Sequence, residues 1–189
     1  MKTTPFRMLT SLLLTLGFLG GWPALAQQRS KDAKAIEELR AKAEKGDAVS
    51  QYFLSQKYES GDGGVPKNEV EALSWLRKSA EQGFHLAQAE LGSWYYFKKR
   101  DPVEAVKWFR KAAEQGLDSA QSYLGLKYWG GDGVEKDFVE AYKWLLLAAA
   151  QGDKHAKGSA TELERFLTPE QRSEGQKRAS AFKPNKKFR

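Results

Sequence analysis

Few side chains in this 189-residue chain are equipped for bond-making chemistry, and none is accompanied by the partners such chemistry needs. There are two histidines, His85 and His155, and no cysteine. A zinc site needs several nitrogen, sulfur or carboxylate ligands converging on one point, and two imidazoles far apart in the chain supply no such cluster. Ser180-Ala-Phe-Lys183 has the spacing of a Ser-x-x-Lys acyl-enzyme pair, yet it stands in a basic terminal stretch without companion motifs. Gly61-Asp-Gly-Gly and Gly130-Gly-Asp-Gly look like ion or phosphate loops in glycine content alone. A phosphate loop ends in Gly-Lys-Ser/Thr and a calcium loop offers oxygen ligands at alternate positions; neither pattern is present, so both read as turns. Glu37-Glu38 are adjacent on a helical stretch, where neighbouring residues point apart. The expectation is a protein with no catalytic residues, no metal ligands and no cofactor.

The elements that would position any site are far more regular than the candidates themselves. Three segments nearly coincide: Ala72-Leu-Ser-Trp75-Leu-Arg-Lys78-Ser-Ala80-Glu-Gln-Gly83, Ala105-Val-Lys-Trp108-Phe-Arg-Lys111-Ala-Ala113-Glu-Gln-Gly116, and Ala141-Tyr-Lys-Trp144-Leu-Leu-Leu147-Ala-Ala149-Ala-Gln-Gly152. A recurrence of this length marks a tandem array in which each unit is a helix pair that buries its apolar face only against its neighbours. The first half of each unit reads Gln51 to Tyr58, Gln88 to Tyr95 and Gln121 to Tyr128, with Leu54, Leu91 and Leu124 four residues before the aromatic. That stripe predicts an amphipathic helix, helix A. Gly92 and Gly125 follow the leucine, where glycine costs about 1 kcal/mol relative to alanine, and close approach of a second helix is the expected compensation.

Helix B starts after a loop that is long in the first and third units and reduced to Lys98-Lys-Arg100 in the second. Its starts, Asn68-Glu-Val-Glu71, Asp101-Pro-Val-Glu104 and Asp137-Phe-Val-Glu140, predict capping boxes in which the polar side chain reaches forward and the glutamate reaches back. Trp75, Trp108 and Trp144 are expected in the core, and Gly83, Gly116 and Gly152 as left-handed helix stops. The units run over about 47–83, 84–116 and 117–152, with half-unit caps at 31–46 and 153–167. The first cap is a helix-B-like segment from Ala33 to Lys45, and Ala160 stands where the second lacks its leucine. Thr168-Pro169-Glu170-Gln171 opens a further helix, and residues 168–189 make a C-terminal helix and basic tail.

At the other end, Lys2 and Arg7 precede an apolar run from Met8 to Gly20, a helix-breaking Trp22-Pro23 and Ala24-Leu25-Ala26. Residues 1–26 read as a cleavable export signal, since the run falls short of the roughly 20 residues a spanning helix needs. A mature chain beginning near Gln27 and spanning 27–167 as the solenoid would hold no disulfide and rely on packing alone. The formal charge of +7 is concentrated in the tail, where Arg172, Lys177, Arg178, Lys183, Lys186, Lys187 and Arg189 face only Glu174. The repeat body offers no polyanion field, and export argues against nucleic acid; a weak contact of the tail with an anionic surface stays open beside simple solvation.

The pattern Ala-x-x-Trp-x-x-Lys-Ala-Ala-x-Gln-Gly, preceded by Leu-Gly-x-x-Tyr and a Gly-x-Gly-Val loop, resembles the Sel1-like repeat, a branch of the tetratricopeptide-like superfamily. The resemblance covers about residues 47–152, departing at Ser55, in the second loop and in the half-present fourth unit. It implies an all-α fold, an α/α solenoid with right-handed superhelical sense and a C-terminal capping helix. It also implies a non-catalytic adaptor or scaffold for a protein or peptide partner, many members being periplasmic or secreted. Two other roles stay open: an immunity protein neutralising a secreted toxin, and, less favoured, an envelope hydrolase or β-lactam-binding protein. The family's β-lactam-associated branch is cysteine-rich, and this chain has no cysteine.

On helix A the face opposite the Leu/Tyr stripe carries Tyr52, Gln56, Glu59; Ala89, Ser93, Tyr96; and Ser122, Leu126, Trp129. In solenoids of this kind helix A lines the concave side. The expected partner-binding residues are therefore Tyr52, Gln56, Glu59, Ser93, Trp94, Tyr96, Leu126 and Trp129, with the aromatics and Leu126 as anchors. Some of them could instead fill gaps between units.

Overall fold

The computed structural model describes residues 22–185 and Phe188. Within them the chain forms α1 (Trp22–Glu44), α2 (Ala48–Ser60), α3 (Glu69–Glu81), α4 (His85–Trp94), α5 (Pro102–Glu114), α6 (Asp118–Gly130), α7 (Phe138–Ala150), α8 (Lys154–Leu163) and α9 (Pro169–Ala181). Residues 1–21, most of the segment read as an export signal, lie outside the described residues. The helix-breaking reading of Trp22-Pro23 is corrected: α1 starts at Trp22 and carries Pro23 in its first turn, where a missing N–H breaks no helical hydrogen bond.

Helices α2/α3, α4/α5 and α6/α7 pair as three hairpins, and each helix B also packs on the next helix A, giving an all-helical solenoid. Leu54, Leu91 and Leu124 are fully buried. The glycine after each of the last two lets a helix B slide in: a methyl at Gly92 would sit 2.9 Å from the Phe109 ring, and one at Gly125 would sit 2.8 Å from Leu145 and 3.1 Å from the Ala141 carbonyl. Trp108 and Trp144 lie in the core at 8% and 3% exposure, but Trp75 is half-buried, with the Lys78 ammonium 4.0 Å above its ring. Trp144 owes part of its cover to Phe182 from the tail, 5.4 Å away; among the described residues no ring packs on Trp75 in this way.

The helix starts are capped as expected in their forward half. Asn68 accepts from the N–H of Val70 and Glu71, Asp101 from Glu104, and Asp137 from Val139 and Glu140. Full capping boxes at these three starts are corrected to half: Glu104 pairs with Lys107, and Glu140 with Lys143 and Arg178. The N–H that each glutamate would reach already donates to the carbonyl of Tyr58, Tyr95 or Tyr128, which leaves no donor for the returning half of the box. Among the described helices the complete box forms at α9, where Thr168 and Gln171 exchange both bonds.

A second repeating feature is polar. Nε2 of Gln51, Gln88 and Gln121 donates to the carbonyls of Ala43, Ala80 and Ala113 in the preceding helix B, at 3.0, 3.1 and 3.2 Å. Gln82, Gln115 and Gln151 of the following helix B donate in turn to the Oε1 atoms of those glutamines, at 2.6, 2.8 and 2.9 Å. The first two units are thus tied to both neighbours, and the third to the second, through helix-end carbonyls that also accept from the N–H of Gly46, Gly83 and Gly116. Beyond the third unit α9 lies on α7, with Gly175 against Tyr142 and Val139 and with Arg178 joined to Glu140 at 2.8 Å.

Candidate partner-binding site

The site originates in a difference of connection length. The A-to-B connection occupies 61–68 in the first unit and 131–137 in the third, but only 100–101 in the second. All three close the same way, the N–H of Asn68, Asp101 or Asp137 returning to the carbonyl of Tyr58, Tyr95 or Tyr128 at 2.8, 3.0 and 3.0 Å. With fewer residues, the second unit achieves this by widening its last turn to a π-helix over Tyr95–Lys99 and placing Arg100 at φ 56. A left-handed non-glycine residue costs roughly 1–2 kcal/mol, which the returning hydrogen bonds and packing must offset.

The long loops act as covers. Gly63 of the first lies on Ile36 of α1, and Gly133 of the third lies on the Pro102 carbonyl at the start of α5. The second unit has no such loop to lay over the start of α3, and a cavity of about 360 Å³ opens there. Its floor is Ala72, Leu73 and Leu76 of α3, and Trp94 and Phe97 form an aromatic wall. Glu59, Glu69, Lys67 and Lys98 ring it with both signs of charge. Phe97 is 54% exposed.

The expected residues fall into two groups. Glu59, Ser93 and Trp94 line the cavity. Gln56 stands behind it, its amide 2.7 and 2.6 Å from the two carboxylate oxygens of Glu90, itself a wall residue. Tyr52 packs edge-on to Phe84 at 5.2 Å; burial, and then the Glu90 carboxylate, push its phenol up to about 12. Farther along, Tyr96 donates to Asp132 at 2.9 Å beneath the Lys127 ammonium, and Trp129 lies 6.4 Å from Phe166. These two link successive units, while Leu126 stands 41% exposed. Sequence reasoning missed Phe97, Leu73 and Glu90. Counting 100° per residue from Leu91 ignores the π turn, which rotates Phe97 into the wall, although the shortened loop was visible.

Burial, and secondarily the neighbouring Glu59, raise the Glu90 carboxyl above its ordinary value, with the Gln56 amide acting the other way. A carboxyl raised in the folded state favours folding below its unfolded value, and that contribution is lost as pH rises through the folded one. Glu90→Gln, which stays neutral and can still accept from Gln56, is expected to gain stability relative to the parent as pH rises from about 4 to 7. Urea midpoints at both pH values check this; equal differences would show that Glu90 is not desolvated.

Among the described residues no group of three or more His, Cys, Asp or Glu side chains could hold a metal, and no helix is long and apolar enough to cross a membrane. The geometry defines a helix-pair repeat protein with an apolar notch in a charged frame. Residues 48–84, 85–117 and 118–153 each match the Sel1 repeat model, and the chain belongs to the Sel1 repeat family. It is similar to a Sel1 repeat protein from Oxalobacter formigenes, at 40% identity and a TM-score of 0.65, over 68% of this chain and 98% of that one. It is also similar to a protective antigen of uropathogenic Escherichia coli with an SLR fold, at 32% identity and a TM-score of 0.50, over 79% of this chain and 40% of that one. Among curated proteins, an F-box protein from Arabidopsis thaliana is 39% identical over 64 residues, which span 34% of this chain and 17% of that protein. Sel1 repeats are generally protein-interaction scaffolds.

Proposed function

We propose that this chain is an exported, non-catalytic adaptor of a bacterial envelope that docks a partner protein at the notch between its first two units. A large apolar side chain of the partner enters over Leu73 and Leu76, against Trp94 and Phe97, while polar groups meet Glu59, Lys67 and Lys98. Tyr52, Gln56 and Ser93 shape the wall, and Tyr96, Leu126 and Trp129 continue the same helix-A face toward the third unit. The observation that carries this reading is the missing second cover, which leaves an aromatic-walled hollow where the third unit has a seated loop. Hollows of this kind, with aromatic walls and a polar rim, are where binding energy concentrates.

The test replaces the short second connection with the loop of the third unit, Gly130 to Lys136. Capture of envelope proteins on the immobilised parent is expected to yield one dominant species, absent with the loop-grafted chain and weakened at least tenfold by Trp94→Ala with Phe97→Ala. Retention of that species by both variants, with helical content unchanged, removes the notch from the mechanism.

A further inference from the structure

The basic tail does not trail into solvent along its described length. After α9 ends at Ala181, Phe182 meets Trp144 edge-on at 5.4 Å. The ring of Pro184 lies 3.1 Å from where a Gly116 methyl would be, and the Asn185 N–H donates to the Glu114 carbonyl at 2.9 Å. Phe188 then packs edge-on to Phe84 at 5.5 Å, with its ring planes 82° apart. Residues 182, 185 and 188 thus touch, in turn, Trp144 midway along the third helix B, the end of the second, and the turn that follows the first. Three extended residues span about 10 Å, close to the spacing of packed helices, so one anchor in three falls on each successive unit. This register belongs to the solenoid rather than to the tail, because the turns from helix B to helix A repeat with every unit.

We propose that these turns form a docking ridge for an extended, basic protein segment with aromatic side chains six positions apart, and that residues 182–185 together with Phe188 occupy it in cis. Three further observations fit such a ligand. Glu114 and Asp118 stand on the ridge beside Asn185 and Phe188, whereas the sequence from 182 to 188 carries Lys183, Lys186 and Lys187 and no acidic residue. Gln115 Oε1 is buried beside it with no donor among the described residues. A cavity of about 710 Å³, bounded by Gln115, Leu117, Asp118 and Gln151, remains next to Phe188, so the resident segment leaves room for a bulkier one. Tethering gives the tail a high effective concentration, so a partner segment must outcompete it and binding is restrained until the tail is displaced. The ridge and the notch share no residue, so failure of one reading leaves the other standing.

The probe is a fluorescent peptide of residues 181–189, titrated into the full chain and into Phe182→Ala with Phe188→Ala. The double variant is expected to bind at least tenfold more tightly than the parent, with affinity falling as salt rises, and a peptide carrying the same two alanines is expected not to bind. Equal binding by both chains, or by both peptides, overturns the proposal. Because the chain has no cysteine, a nitroxide at Lys183→Cys reports independently of those variants. It is expected to broaden the Gly116 and Leu117 amide signals at every protein concentration, with excess peptide relieving the effect. Broadening that is absent, or that vanishes on dilution as exchange between two copies requires, also overturns it.

Discussion

Gly133→Ala is expected to cost about 3 kcal/mol, lowering the thermal midpoint by roughly 6–12 °C. Two penalties combine at this position. Its φ of 78 lies in the left-handed region, and the added methyl would stand 2.2 Å from the Pro102 carbonyl oxygen and 2.9 Å from the Val103 nitrogen. Both obstacles are backbone, so relief requires moving the loop or the start of α5. Gly64→Ala separates the two penalties, because its φ is 82 but nothing lies within 4 Å of the new methyl; its expected cost is about 1 kcal/mol. Thermal melts followed by circular dichroism decide the matter. Equal losses would mean the third loop is not seated on α5, and the account of why the second unit has a notch would fall with it.

Leu124→Ala carries the other large effect, about 3 kcal/mol within the range of roughly 2–5 seen when a buried leucine is truncated. The side chain is fully buried among Ala120, Tyr128, Ala141 and Leu145. Gly125 already holds α7 at its closest approach to α6, so the pair has little room to collapse into the void. Leu126→Ala, two residues on and 41% exposed, is expected to change stability by less than about 0.5 kcal/mol. Urea titration distinguishes them, and comparable midpoints for the two variants would place the inward stripe of α6 on the wrong face. Since the units cohere mainly through packing of each helix pair on the next, the Leu124→Ala transition is also expected to broaden as cooperativity between the second and third units weakens.

The repeat pairs, helix starts and helix stops were legible because each is written within a few residues. Leu54 with Tyr58, Asp137 ahead of Glu140, and Gly116 after Gln115 each act over one turn of helix. What escaped notice depends on distant parts meeting. Trp144 takes part of its cover from Phe182, which belongs to a segment far along the chain. Glu71, Glu104 and Glu140 lose the returning half of their capping role because the N–H groups they would reach are taken by the carbonyls of Tyr58, Tyr95 and Tyr128, ten, six and nine residues earlier. The notch is harder still to read, since it arises from residues the second unit lacks, and an amphipathic stripe cannot report a missing cover. Tyr96 and Trp129 lie on the face that the helical period assigns them, but the next unit's loop and the segment after α8 meet them there.

The glutamine ties also determine where the array can end. The fourth residue after each helix-A cap is Gln51, Gln88 or Gln121 in the three full units, and its counterpart in α8 is Lys157, which is solvent-exposed. An ammonium can donate but has no lone pair to accept the amide that a succeeding helix B would offer. Lys157 therefore leaves α8 without the acceptor by which each earlier helix A holds its own helix B, and the next helix, α9, lies on α7 instead.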